Sequence, residues 1–479
     1  MLTFAPKTRA ALDHDGDARE EILRTLITER LRTLPPPRLD DQVVATYFLR
    51  LRTWDLQHAG HEISYHATSG THDIPKGSLI EQCTGAIAGI DPWDTTNRCG
   101  LLHIAFPLKM LLNENGGLSS SDLLHTVAGA ILFDVYENQD SRLVALQIPD
   151  SIVRTFPGPA HGPLGVREFT RFENEPLFGT ILKPTAGIIP DHVGRLVNEV
   201  ASCPLFCFVK EDENLYPRLP YSPVRERTKR AVEAIHRRQD ERGGRGLIFA
   251  PHISGAPHEI LETVKAVRAA GATGLMFSES FAGGTVRLVR EATRMDEQPP
   301  FLYGHNAGIG VKTRSIFREV IDLLARLDGI DFRQTAPVRP GAPFLKPYGE
   351  EWLASEHALT CPLPGIRPTT IVRAGALDQG NIGLNLADVE ARKLGPYALF
   401  LSGSAINSIK NAAGKPDSHL GAEAMRQAIA IHRQGDLKNV EQTEHAPALF
   451  DIARRTGLRE LTTALLQRYP DLGRDASHP

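Results

Sequence analysis

The chain has 479 residues, 41% of them hydrophobic and 23% charged, which is typical of a soluble protein long enough for two domains. Its formal net charge is -3 and its pI about 6.7, which argues against a basic surface for nucleic acid. No apolar run approaches the ~20 residues of a membrane span, and Met1–Glu20 lacks the apolar core of a signal peptide. The five cysteines are an odd number in a large chain and favour a reduced, cytoplasmic protein.

The N-terminal part of the chain predicts a polar extension over residues 1–40 and then a small α+β domain over residues 41–157. A helical pattern of apolar residues inside the extension ends at the prolines 35–37. Apolar runs and helical periodicity predict strands and helices in the domain. The strands are Val43–Leu49, Leu101–Pro107 and Arg142–Ile148, and the helices are Pro75–Cys83 and Ser119–Ile131.

The following part, residues 158–435, alternates short apolar strands with amphipathic helices. Continuous apolar strands are buried on both faces, which is typical of a parallel sheet. Eight such units in roughly 250 residues predict an α/β fold of the (β/α)8 or TIM-barrel type. An open doubly wound sheet is the alternative, but no Gly-x-Gly-x-x-Gly follows the first strand. The remaining residues, 436–479, predict charged helices and a disordered tail. The eight strands are Leu177–Leu182, Pro204–Lys210, Gly246–His252, Gly274–Ser278, Phe301–His305, Ile330–Gln334, Thr369–Arg373 and Ala398–Ser402.

Polar residues follow most of these strands, and barrel enzymes carry their chemistry on the loops after the strands. The densest group is Lys210, Asp212 and Glu213, after the second strand. Side chains alternate along a strand, so Lys210 and Asp212 point the same way, and Glu213 follows where the strand turns. The two carboxylates suit Mg²⁺, whereas a lysine ammonium binds no metal unless it loses its proton or is modified. A salt-bridged strand end is the alternative interpretation of this group.

Other strand ends add further candidates. Lys183 leaves the first strand beside Lys210, and two neighbouring ammonium groups repel, which makes one of them a candidate general base. His252 and His305 follow the third and fifth strands, where they could be acid–base groups or satisfied hydrogen-bonding residues. Gly375 and Gly403 follow the last two strands, which fits the common phosphate site of barrels, although glycine is also frequent there for steric reasons.

Two segments resemble the large chain of RuBisCO and its relatives. They are Gly179–Pro184 and Phe208–Asn214, and the likeness runs from about Thr155 to Gly421. Residues before Thr155 are more faintly similar to the ferredoxin-like domain of that family. The resemblance therefore implies a ferredoxin-like α+β domain followed by a catalytic TIM barrel.

The resemblance also implies roles for residues of the site. Lys210 matches the lysine that takes up CO2 as a carbamate, and with Asp212 and Glu213 it would bind Mg²⁺. Lys183 matches the lysine that handles the enediolate, and His305 matches an active-site histidine. The family builds its site across a dimer interface, which implies a homodimer or a multiple of dimers. The implied substrate- and phosphate-binding residues are Thr71, which would face the partner's substrate, Asn306, Lys346, Ala374, Gly375, Ser402 and Gly403.

Several positions depart from the carboxylating members of the family. Thr185 replaces a second lysine, and Asn306 replaces the arginine that holds the far phosphate. Lys346, in a long, proline-rich loop, could stand in for the mobile lysine that steers CO2. This pattern is most similar to RuBisCO-like proteins of the form IV type. The other departures are His66 and His72 for a glutamate and a tryptophan, Ala130 for an asparagine, Ala374 for a serine, and Ser402 and Ser404 around a single glycine.

The predicted function is Mg²⁺-dependent enolisation of a phosphorylated ketose or keto sugar acid, of the isomerase or tautomerase type, without CO2 fixation. Decarboxylation or carboxyl transfer on a β-keto sugar-acid phosphate is a second possibility, because the same cation stabilises the resulting enolate. A ribulose-bisphosphate carboxylase and a catalytically silent regulatory relative are the remaining alternatives.

Overall fold

A computed structural model describes residues 17–173, 176–281, 283–340 and 348–473. The chain divides into two compact units. The first comprises the residues up to Gly158 together with Gly308–Gly329 and Gly349–Arg367, and the second comprises the rest. None of the described helices is long and apolar enough to cross a membrane. The predicted domain boundaries stay a prediction, and the predicted disordered tail from Arg474 lies outside the described residues.

The first unit contains an antiparallel four-stranded sheet in the order β2-β3-β1-β4. The strands are β1 (Gln42–Leu51), β2 (Ala86–Pro92), β3 (Cys99–Pro107) and β4 (Asn138–Gln147). Three of them were predicted, whereas β2 was missed because Gly89 and Asp91 interrupt its apolar pattern. The helices are Asp17–Thr33, Leu56–His66, Leu79–Cys83, Leu108–Leu111, Ser120–Ala128, Asp150–Val153, Ile309–Lys312, Arg318–Asp328 and Glu350–Thr360.

The core of the first unit includes helices from distant parts of the chain. Leu23 and Ile27, from the apolar pattern noted in the N-terminal extension, are fully buried in this core. Val320 and Leu324 of helix Arg318–Asp328 belong to the same core. The apolar faces of helices Asp17–Thr33 and Arg318–Asp328 therefore pack into the core of the first unit. Arg318–Asp328 does so although it follows the fifth barrel strand in the chain.

The second unit contains eight parallel strands in the order β8-β9-β10-β11-β12-β5-β6-β7. A single bridge between His252 and Met276 links the two ends of this order, so the barrel is nearly closed. The predicted TIM barrel is confirmed, with small shifts at the strand ends. The strands are β5 (Leu177–Ile181), β6 (Phe206–Lys210), β7 (Ile248–Ala250), β8 (Gly274–Phe277), β9 (Phe301–Gly304), β10 (Phe332–Thr335), β11 (Thr370–Ala374) and β12 (Ala398–Ser402).

Helices surround this barrel. Every residue of β6, β8, β9, β11 and β12 is buried, as expected for strands covered on both faces. The helices of the second unit are Gly162–Thr170, Pro190–Ala201, Val224–Arg237, Pro257–Ala269, Thr285–Ala292, Ile382–Ala391, Ser404–Asn407, Ser418–Gln434, His445–Arg455 and Arg459–Arg468.

Gly179 allows β5 and β6 to approach closely. A Cβ atom on Gly179 would lie 2.3 Å from the carbonyl oxygen of Phe208, so a larger residue would push the strands apart. In the resulting register Ile181 pairs with Lys210. Because parallel strands end at the same edge, Lys183 leaves β5 next to the carboxyl end of β6.

Candidate active site

Lys210 is a fully buried charged group at the carboxyl end of β6. Its side chain is inaccessible to solvent, and its Nζ lies 3.7 Å from Glu213 Oε2. Nζ also donates to the carbonyl of Glu211 at 3.1 Å. Burial lowers the pKa of Lys210 to about 8, although the carboxylates of Glu213 and Asp212 act in the opposite direction. The amine is therefore much closer to its neutral form than an exposed lysine is.

Lys183 is paired with the carboxylate of Asp212. Its Nζ donates to Asp212 Oδ2 at 2.5 Å, and Oδ1 of Asp212 accepts the N–H of Asn214 at 3.0 Å. The Asp212 side chain is buried, whereas that of Lys183 is 33% exposed. The register of β5 and β6 thus brings together the two lysines, as predicted from the sequence.

His305, at the end of β9, faces the carboxylate of Glu213. Its Nδ1 accepts the N–H of Ala307 at 3.0 Å, and its Nε2 lies 3.3 Å from Glu213 Oε2. Burial lowers the pKa of His305 well below its usual value, and the nearby charge of Lys210 acts in the same direction. We therefore assign a neutral ring whose proton is on Nε2, directed at Glu213.

The chemistry of these donors fits a Mg²⁺ site that includes a modified lysine. Among the described residues there is no cluster of three or more His, Cys, Asp or Glu side chains that could hold a metal. Asp212 and Glu213 therefore supply only two ligands, and a third donor must come from elsewhere. Lys210 Nζ lies 3.7 Å from Glu213 Oε2, and a neutral amine can add CO2 and release one proton to form an anionic carbamate. Asp212, Glu213 and the carbamate would then supply three oxygen donors, the type of ligand that Mg²⁺ prefers.

A buried ion pair lies behind the turn that carries Asp212 and Glu213. Glu211 points away from Asp212 and accepts two bonds from Arg227, Nε to Oε1 at 2.7 Å and Nη2 to Oε2 at 2.9 Å. Both side chains are fully buried. Glu211 Oε2 also accepts the N–H of His252 at 3.0 Å, and Arg227 donates to the carbonyls of Ser222 and Leu215. This network joins the ends of β6 and β7, and sequence reasoning missed Arg227.

Replacing Arg227 with methionine should destabilise the protein by about 3–5 kcal/mol, because it leaves the Glu211 carboxylate buried without its partner. Urea denaturation followed by tryptophan fluorescence measures the loss. The double variant with Glu211→Gln and Arg227→Met carries neither charge of this pair and should recover part of the lost stability. A double variant as unstable as the single one would show that the charge of Glu211 is not the cause.

The glycine turns after β11 and β12 differ in their surroundings. Gly375 has a φ of +103°, and no described atom lies within 4 Å of the position of a Cβ there. A Cβ on Gly403 would lie 3.5 Å from Cε of Lys183. The preceding residues, Ala374 and Ser402, are buried at the strand ends. Gly403 thus lies beside Lys183. Phosphate binding at both turns stays a prediction.

Asn407 is a second residue that sequence reasoning missed. Its Nδ2 donates to Thr180 Oγ1 at 3.0 Å, to the carbonyl of Ile181 at 2.9 Å and to that of Gly403 at 3.1 Å. These bonds fasten the end of β5 to the turn after β12. A buried asparagine in a four-residue helix has no sequence pattern that marks it.

Three further predicted site residues are Asn306, Thr71 and Lys346. Asn306 directly follows His305 and is half-buried. Thr71 lies in the first unit, where its Oγ1 accepts the N–H of Asp73 at 3.1 Å. Lys346 lies outside the described residues. Their roles in substrate binding stay predictions.

The barrel and its lysine–carboxylate cluster agree with a comparison to known families. Residues 165–341 match the family model described as ribulose bisphosphate carboxylase large chain, catalytic domain. The chain carries a RuBisCO large-chain domain. The predicted resemblance is thereby confirmed, and the matched residues include the lysine–carboxylate cluster and His305.

Curated relatives of the RuBisCO-like chain have different activities. It is 31% identical to a 3-oxo-isoapionate-4-phosphate transcarboxylase/hydrolase of Xanthobacter autotrophicus over 44% of this chain and 48% of the relative. It is 28% identical to a 3-oxo-isoapionate-4-phosphate decarboxylase of Rhizobium etli over 59% and 70% of the two chains. It is 28% identical to a 2,3-diketo-5-methylthiopentyl-1-phosphate enolase of Geobacillus kaustophilus over 81% and 91%. The chain thus spans about half the length of the first of these relatives.

Solved structures show the same fold. A rubisco-like protein from Alicyclobacillus acidocaldarius is 25% identical, with a TM-score of 0.70 over 86% of this chain and 98% of the other. Octameric RuBisCO from Pyrococcus horikoshii is 22% identical, with a TM-score of 0.73 over 88% and 95%. The RuBisCO-like chain therefore shares its architecture with both RuBisCO and rubisco-like proteins.

Proposed function

We propose that this RuBisCO-like chain is a Mg²⁺-dependent enzyme that removes a proton next to a carbonyl of a phosphorylated ketose or keto sugar acid. The observation that carries the proposal is the ion pair between Lys183 Nζ and Asp212 Oδ2, 2.5 Å long, beside the buried Lys210. A partly exposed amine thus lies next to the residues that fit a metal. Substrate deprotonation needs a base and a nearby positive charge.

Each residue of the site takes one part of this chemistry. Mg²⁺, held by Asp212, Glu213 and carbamylated Lys210, would supply the positive charge that stabilises an enediolate oxygen. Lys183 takes the proton as a neutral amine, after its own proton has left to solvent, because its Nζ belongs to the more exposed of the two lysines. His305 keeps its proton on Nε2 and orients Glu213 from 3.3 Å. The proton returns at a neighbouring carbon, which yields an isomer or tautomer.

The proposed substrate carries one phosphate at Gly375 and Gly403. The curated relatives act on phosphorylated keto compounds, by their names a sugar-acid phosphate or a diketo phosphate. The positions Thr185 and Asn306, where carboxylating members carry basic residues, lack a positive charge. This supports a substrate with one phosphate and a reaction without CO2 fixation.

Decarboxylation or carboxyl transfer of a β-keto sugar-acid phosphate is the second candidate. Two of the relatives, 31% and 28% identical, are a transcarboxylase/hydrolase and a decarboxylase of one such compound. Loss of CO2 from a β-keto acid forms the same kind of enolate that deprotonation forms, so the same charge distribution serves both reactions.

Isotope exchange distinguishes the two reactions. The full chain is incubated in D2O with Mg²⁺, bicarbonate and a panel of phosphorylated ketoses and keto sugar acids, and the products are followed by NMR. We expect deuterium at the carbon next to a carbonyl, and no exchange when EDTA replaces Mg²⁺. Loss of a carboxyl carbon without exchange would favour the second candidate. Neither exchange nor CO2 loss, together with no Mg²⁺ binding, would favour a catalytically silent protein.

Dimeric assembly and a cytoplasmic location stay predictions.

A further inference from the structure

One ring nitrogen of His252 is buried and lacks a hydrogen-bond partner in the part of the chain that the structure describes. The residue follows β7 and is 1% exposed. Its Nδ1 lies 3.2 Å from the carbonyl oxygen of Leu215. Its Nε2 is buried and has no hydrogen-bond partner among the described residues. A buried polar atom without a partner is uncommon in native proteins and indicates a missing ligand or water.

The hydrogen bonds around His252 determine what this nitrogen can bind. The carbonyl of Leu215 can only accept, so Nδ1 carries the proton and Nε2 presents a lone pair. Arg227 donates to the same carbonyl at 3.3 Å, and Glu211 accepts the backbone N–H of His252, so the ring is fixed from two sides. Burial lowers the pKa of His252 to about 4, which keeps the ring neutral. Nε2 is therefore an acceptor that needs an O–H or N–H donor.

Ser278 places a second such atom on the neighbouring strand. Its Oγ is buried and has no partner among the described residues, whereas its backbone N–H donates to Ser254 Oγ at 2.9 Å. Ser278 directly follows Phe277, which pairs with Gly304, so Ser278 lies beside His305. The bridge between His252 and Met276 joins β7 to β8, the strands that precede His252 and Ser278. Two polar atoms without partners thus lie on adjacent strand ends, next to a residue of the candidate site.

The side-chain alternation of the strands directs these residues into the barrel. Ala250, Met276 and Tyr303 all belong to the core cluster inside the barrel. His252, Ser278 and His305 each lie two residues further along, and side chains two residues apart on a strand point the same way. Lys210 follows Phe208 of that cluster in the same manner. His252 and Ser278 therefore belong to the same layer as the lysine–carboxylate cluster.

We propose that His252 and Ser278 form a subsite that binds one hydroxyl group of the substrate. The hydroxyl donates its proton to His252 Nε2 and accepts one from Ser278 Oγ, so both partners are satisfied by a single O–H group. This rests on the proposed function and narrows its substrate class. The substrate carries a hydroxyl on the carbon chain between its reacting carbonyl and its phosphate, as a sugar acid does. A substrate without this hydroxyl leaves both buried atoms unsatisfied, which disfavours its binding.

Two ligands that differ only in hydroxyl groups test this subsite. The probes are 4-phospho-D-erythronate and 4-phosphooxybutanoate, which lacks both hydroxyls of the first. Isothermal titration calorimetry of the full chain, with Mg²⁺ and bicarbonate present, gives the two dissociation constants. We expect the hydroxylated probe to bind about tenfold more tightly, the gain of roughly one buried hydrogen bond.

Matched variants separate the hydroxyl contact from a structural role. An asparagine at position 252 keeps a donor near Nδ1 but removes the Nε2 acceptor, whereas a glutamine extends an acceptor toward the Nε2 position. His252→Asn and Ser278→Ala should each remove most of the tenfold preference and leave the affinity for 4-phosphooxybutanoate unchanged. His252→Gln should retain the preference for the hydroxylated probe. Thermal unfolding of each variant checks that the barrel is intact.

Three results would overturn the proposal. Equal affinity of the wild-type chain for both probes would mean that water, and no substrate hydroxyl, occupies the subsite. An equal loss for both probes in His252→Asn would indicate a structural role. Binding of neither probe would exclude this ligand class. Failure of the proposed function is a separate result. The chain would then catalyse no deuterium exchange but would still bind the hydroxylated probe about tenfold more tightly.

Discussion

Replacing Lys210 with alanine is expected to abolish Mg²⁺ binding at the site and to lower the rate of deuterium exchange by about 10³-fold or more. The variant removes the amine that would become the third oxygen donor and leaves Asp212 and Glu213 to repel each other. Mg²⁺ titration measures the first effect. The carbamate carbon of the wild-type chain, labelled from ¹³C-bicarbonate, should appear by NMR and be absent from the variant.

Two further variants make this result specific. Lys265→Ala removes an exposed lysine of helix Pro257–Ala269 and should behave as the wild type does. Lys210→Glu supplies a carboxylate without CO2 and should restore part of the Mg²⁺ binding, now independent of bicarbonate. Wild-type Mg²⁺ affinity in a folded Lys210→Ala variant would contradict the assignment of Lys210 as a ligand. Binding by Lys210→Glu that still requires bicarbonate would contradict the carbamate.

Replacing Lys183 with methionine is expected to separate proton transfer from metal binding. The variant loses the proposed base, so deuterium exchange should fall by about 10²–10⁴-fold. Its Mg²⁺ affinity should stay the same or rise, because the cation that lies 2.5 Å from Asp212 Oδ2 is gone. Exchange rates and Mg²⁺ titrations on the same preparation measure both quantities.

Lys183→Arg is the matched control for this prediction. Arginine keeps the positive charge beside Asp212 but stays protonated, so it cannot accept a proton from the substrate. Both variants should therefore lose exchange, whereas only the methionine variant should gain Mg²⁺ affinity. Exchange at the wild-type rate in either variant would show that another group is the base. His305 would then be the next residue to replace.

The barrel could be predicted from the sequence because its strands are local patterns. A strand such as β6 is a continuous apolar run, and the alternation with amphipathic helices repeats eight times. The first unit was harder to predict. Its strand β2 contains Gly89 and Asp91, and helix Leu56–His66 has only a short apolar face, so neither stands out in the sequence. Both are stabilised by packing in the core, which is a tertiary property.

The central residues of the candidate site could also be predicted. Lys183, Lys210, Asp212 and Glu213 follow two consecutive strands, and parallel strands end at one edge of a barrel. Their proximity therefore depends on the strand order alone, which βα units largely impose. The bond from Lys183 to Asp212, and not to Glu213, was not predictable, because it depends on the close approach of the two strands at Gly179.

The barrel, the edge that carries the polar residues and the chemistry of its lysines and carboxylates follow from local patterns in the sequence. Which polar atoms are satisfied depends on the folded chain. Arg227 reaches Glu211 from a helix, Asn407 fastens β5 to the turn after β12, and Nε2 of His252 is left as a buried acceptor. The physical reason is that burial and hydrogen-bond satisfaction depend on residues far apart in the chain, whereas sequence patterns report only near neighbours.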